Sequence, residues 1–68
     1  MSTKSAVKSE ARKFFAAALA KVESKSIREW AVTPHNKPIW LKIAEGAVAR
    51  GSSPEMFAAY MVCVAIGA

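Results

Sequence analysis

Aspartate is absent from the sequence, which also holds only one histidine, His35, and one cysteine, Cys63. That scarcity excludes much chemistry. A Cys–His nucleophile pair would have to join His35, bracketed by Pro34 and Pro38, to Cys63, inside an apolar run, and no spacing joins them. One imidazole and one thiol supply two metal ligands where a closed site needs about four. The three glycines, Gly46, Gly51 and Gly67, are too dispersed to cradle a phosphate. We therefore expect no enzyme: no catalytic residues, no metal, no cofactor and no small-molecule substrate. A single thiol also excludes an internal disulfide, which suits a reducing compartment and gives a cytoplasmic expectation. Cys63 itself reads as a small buried hydrophobe.

Long hydrophobic runs are missing too. Residues 56–68 carry no charge, but thirteen residues fall short of the ~20 that cross a bilayer. Lysines followed by Phe14 to Ala20 imitate an export signal. Glu10 interrupts the lead-in, however, and seven mostly alanine residues lie at the lower limit for such a region. Neither a membrane nor export is expected.

What is present is apolar and helix-forming: 53% of the 68 residues are apolar and 22% charged. The expectation is an all-α, single small domain with helices at about 5–23, 37–50 and 54–66. Residues 1–26 form its basic amphipathic part, 27–36 a linker or short strand, and 37–68 an apolar helix pair. In the first helix Val7, Ala11, Phe14, Phe15, Ala18, Leu19 and Val22 share about 140° of arc. Ser24-Lys25-Ser26 ends it. Over 27–33, Trp30, Val32 and Thr33 favour a strand, although Glu29 falls on the face of Ile27 and Ala31. Asn36 is a fitting N-cap for the next helix, with Pro38 in its first turn. Gly51 is a natural stop, and Gly46 suggests another backbone passing close. Ser53, Pro54 and Glu55 open the last helix. Trp40 falls on an apolar arc and reads as core, Trp30 is open, and His35 reads as an exposed loop residue.

The last helix is apolar all round, and such helices are buried ones. A chain of 7.3 kDa buries only about 60% of its unfolded surface. Cover must come from further copies or a partner protein; a homodimer is expected, with Phe57, Tyr60, Met61, Val64, Val62 and Ile66 at the dimer or partner interface.

Acidic residues are few as well. Five glutamates face ten lysines and arginines, and residues 1–26 hold +4 of the net +5. This basic segment points to DNA, bound by phosphate contacts from Lys4, Lys8, Arg12, Lys13 and Arg28 with little sequence preference. The competing expectation is a helical protein-interaction module, an adaptor or inhibitor, whose anchors are Phe14, Phe15 and Leu19 on an apolar helix face.

The order of segments from Ile27 onward carries a resemblance. A short strand, a helix, the Gly51-Ser52-Ser53-Pro54-Glu55 join and an apolar helix together resemble the ribbon-helix-helix repressors. That resemblance implies paired strands in the DNA major groove, presenting Arg28, Trp30 and Val32 or the alternate set Glu29, Ala31 and Thr33. The chain departs from the pattern in its long preceding helix and in the insertion of His35 to Lys37.

Overall fold

The structure, a computed structural model, describes the backbone of residues 3–67 and the side chains of residues 6–67. Within them lie four helices: α1 (Thr3–Lys21), α2 (Lys25–Ala31), α3 (Asn36–Arg50) and α4 (Pro54–Gly67). The all-α expectation holds. The count of three helices does not: residues 27–31 belong to a short helix and not to a strand, and residues 32–35 link it to the next.

The reason is local. Ser24 stands just before α2 with extended backbone, and its Oγ accepts the Ile27 N–H at 3.3 Å. Arg28 then reaches back and donates to the carbonyls of Val22 and of Glu23, the latter at 3.0 Å. Ile27, Trp30 and Ala31 follow three- and four-residue spacing, so one helical face takes all three inward. Burial outweighs the β-propensity of Trp30. Val32 and Thr33, the other strand formers, fall outside α2 and make the corner. Without the strand, the resemblance to ribbon-helix-helix repressors loses its reading element.

At that corner the Trp30 carbonyl accepts from the Thr33 hydroxyl at 3.1 Å and from Asn36 Nδ2 at 3.0 Å. The Thr33 Oγ1 in turn accepts the Asn36 N–H at 3.3 Å. His35, exposed and without a side-chain capping bond, takes the N-cap position expected of Asn36. Thr33 supplies the oxygen instead, three residues before the amide it satisfies. α3 ends as expected at Gly51, where φ is 76°. The Ser52 and Gly51 amides close back on the Ala47 and Val48 carbonyls, a Schellman ending. A side chain at Gly46 would meet only the Arg50 guanidinium, at 3.3 Å, so no passing backbone requires this glycine. Ser53 caps α4 as expected, its Oγ accepting the Met56 N–H at 3.2 Å.

The core lies between α1, α3 and α4. Ala11, Ala18, Ala44 and Ala47 are all within 1% of complete burial, and such small side chains let helices approach closely. Larger groups fill the remaining space: Phe15, Val22, Trp40, Phe57 and Met61 are buried. Edge-on contacts link five of the six aromatic rings. Phe14 meets Phe57 at 5.2 Å, Phe57 meets Trp40 at 5.6 Å, and Trp40 meets both Trp30 and Tyr60. Trp40 is core, and Trp30 is a half-buried ring leaning on it. Lys21 and Glu55, 3.4 Å apart, tie the end of α1 to the start of α4.

Candidate functional site

α4 buries one side, and Tyr60 at the margin of the other meets Trp40 edge-on. Phe57, Ala58 and Met61 turn inward. At about 100° per residue, Met56, Ala59, Tyr60, Cys63, Ile66 and Gly67 then share about 120° of arc on the opposite side. All six are exposed, with Met56 at 67%, Tyr60 at 53% and Ile66 at 76%. No charged residue interrupts this stripe. Met56, Ala59, Cys63 and Ile66 follow the alternating three- and four-residue spacing of a helix-pairing seam.

Two corrections follow. Cys63 is exposed, not buried, because it lies about 160° round the helix from Met61, the most deeply buried residue of α4. The expected interface set also divides. Phe57 and Met61 are interior, Val62 and Val64 are half-buried, and only Tyr60 and Ile66 stand on the exposed stripe. Sequence reasoning grouped α4 by bulk. The inward face is instead the one that meets Phe14 and Trp40, and it mixes bulky Phe57 and Met61 with small Ala58.

Beside the stripe opens a groove of about 750 Å³ between the end of α1, the start of α2 and α4. Val22, Ile27, Ala58, Val62 and Ile66 make it apolar, and Lys21, Glu23 and Glu55 stand at its margin. Glu55 is held below the usual carboxylate range, first by a hydrogen bond from its own backbone N–H, then by hydrogen bonding and attraction from Lys21. Arg28 helps shape this groove by fixing the Val22–Glu23 link.

The expected nucleic-acid contacts stand in different surroundings, with Lys8 and Arg12 one turn apart on one side of α1. Lys8, Arg12 and Lys13 are exposed and make no ion pair among the described residues, yet Lys13 points about 100° away from Arg12. Arg28 is half-buried and engaged with backbone carbonyls. The side chain of Lys4 lies outside the described residues.

The α1 anchors face inward. Phe15 is buried, and Phe14 and Leu19 pack against the core. On this flank a second, smaller hollow of about 220 Å³ runs between α1 and the start of α3, with Phe15 and Leu19 at its base and Arg12 and Lys37 at its edges. Lys37 is a cation that sequence reasoning did not single out; only the Thr33–Asn36 corner brings it opposite α1.

Among the described residues, no three His, Cys or carboxylate side chains gather as a metal-binding group, and no helix is long and apolar enough to cross a membrane. No protein-family model matches the chain, and no significant match is found among curated proteins or solved structures.

Proposed function

We propose that the chain is a small non-enzymatic protein-interaction module that pairs with a second copy of itself through the outer face of α4. The observation that carries this reading is the uncharged, exposed stripe from Met56 to Gly67. A further feature supports it. The small side chains of Ala59, Cys63 and Gly67 recur every fourth residue, which allows two such helices to approach closely. An uncharged seam also brings no like charges together across a two-fold axis. Sedimentation equilibrium over the micromolar range is the test: a concentration-dependent dimer is expected, and a 7.3 kDa species throughout would overturn the reading.

DNA binding is the second reading, favoured by Lys8, Arg12 and Lys13, which are exposed and make no ion pair among the described residues. Its mechanism is phosphate neutralisation, so its affinity falls steeply with salt. Titration of a labelled duplex at two salt concentrations tests it. Absence of binding at low salt, or affinity indifferent to salt, overturns it.

A further inference from the structure

The hollow between α1 and α3 has a character that neither α4 pairing nor phosphate contact requires. Its base is apolar: Phe15, Leu19 and Leu41 form it, with Val32, 41% exposed, beside them. Its edges are cationic, Arg12 on α1 and Lys37 on α3, and no carboxylate lines it. Neither cation has an ion-pair partner among the described residues. At about 220 Å³ it falls below the ~300–1,000 Å³ of small-molecule pockets, and suits one or two large side chains.

We propose that this hollow binds an acidic amphipathic segment of a partner protein. An apolar side chain of that segment seats on Leu19, Val32 and Leu41, and carboxylates to either side of it meet Arg12 and Lys37. The inference rests on reading the chain as an interaction module, and it uses a face to which α4 contributes nothing. Charge complementarity selects the occupant. Two unopposed cations across an apolar base favour a segment of alternating acidic and apolar character, and they repel a basic one. A nucleic-acid backbone would satisfy the cations and leave the apolar base uncovered. The exposed α4 stripe of a second copy is a poor occupant, since it carries no carboxylates.

The geometry is set from several directions. Arg12 and Leu19 stand two turns apart on α1, Lys37 and Leu41 one turn apart on α3, and the Thr33–Asn36 corner fixes the distance between them. The seat is therefore built on helices and a hydrogen-bonded turn.

The probe is a fluorescein-labelled peptide of about fifteen residues, with leucine or phenylalanine at helical spacing and glutamates between, a helix-in-groove design. Binding is followed by anisotropy and by amide shifts of ¹⁵N-labelled protein. Shifts are expected to concentrate at Arg12, Leu19, Val32, Lys37 and Leu41. Arg12→Glu with Lys37→Glu should weaken binding at least about tenfold, while Arg12→Lys with Lys37→Arg retains it, both variants melting as the parent does. A peptide keeping the glutamates but carrying alanine at the apolar positions should bind at least about tenfold more weakly. Equal binding of the two peptides overturns the proposal, as do shifts centred elsewhere, or duplex DNA engaging the same residues more tightly. Sedimentation of the same proteins separates the two ideas: a dimer without peptide binding defeats this inference alone, and peptide binding by a monomer defeats α4 pairing alone.

Discussion

Ile66 offers the sharpest measure of pairing through α4, because it is 76% exposed and sits at the edge of both the stripe and the larger groove. Fully burying such a side chain is worth about 1.5–3 kcal/mol, and some three quarters of that is still available, about 1–2 kcal/mol for each copy. Ile66→Ala retains the innermost part of the side chain, so the loss is about 1 kcal/mol per copy. Two-fold symmetry doubles this to about 2 kcal/mol, which weakens dimerisation by about 30-fold. Alanine is also the strongest helix former, so α4 keeps its intrinsic stability. Sedimentation equilibrium across three decades of concentration measures the shift, and circular dichroism melts at the lowest concentration check the monomer fold. If wild-type protein dimerises and Ile66→Ala leaves its Kd within about twofold, the side chain is not at the interface and the reasoning is refuted. Thiol-specific bismaleimide linkage of Cys63 to its copy gives an independent reading, because Cys63 lies on the same stripe.

Other outcomes follow from the interior and the helix ends. Met61 is completely buried, so Met61→Ala should cost about 2–4 kcal/mol and lower Tm by roughly 10–25 °C in thermal melts, and a drop of only a few degrees would contradict its place in the core. Arg28→Ala leaves two carbonyls without their donor and should cost about 1–2 kcal/mol in urea titrations, while affinity for duplex DNA, compared between fully folded samples, stays unchanged. Gly46→Ala should stabilise by up to about 1 kcal/mol, since only a movable guanidinium stands nearby, whereas Gly51→Ala at positive φ destabilises by about 1 kcal/mol; the same urea assay tests both signs. The carboxyl of Glu55 is held below its unfolded value, so its contribution to stability is complete above the ordinary carboxylate pKa and is lost as pH falls through the lowered one. Unfolding measured from pH 6 down to pH 3 should show a shallower decline in Glu55→Gln than in the parent, and identical slopes would remove Glu55 from the account.

Where helices begin and end was largely legible in the residues. Ser53, Pro54 and Gly51 act within a few positions of themselves, through hydrogen bonds and backbone angles that depend little on the rest of the chain. The apolar side of α1 was legible for the same reason, since helical periodicity alone places Ala11, Phe15 and Ala18 together. The stretch at 27–33 was harder. Trp30, Val32 and Thr33 favour a strand, and it is the burial of Ile27, Trp30 and Ala31 together, with Arg28 bonded back to the preceding link, that makes residues 27–31 helical. The partition of α4 was not legible at all. A helix with apolar residues on every side holds no periodic signal to distinguish inside from outside, and the choice fell to whichever face met Phe14 and Trp40.

The same division applies to the candidate sites. Composition and order alone determined that histidine, cysteine and aspartate are scarce or absent, that positive charge concentrates before residue 27, and that the last helix is apolar on every side. Those are properties of residue types, and folding does not alter them. Tertiary structure decided which of those residues remain accessible. It turned Phe57 and Met61 inward and left Met56, Cys63 and Ile66 outside, it tied Arg28 to backbone carbonyls, and it set Lys37 across from Arg12 over an apolar base. Each of these depends on side chains distant in sequence competing for the same interior volume, and the contest is decided only when all four helices pack together.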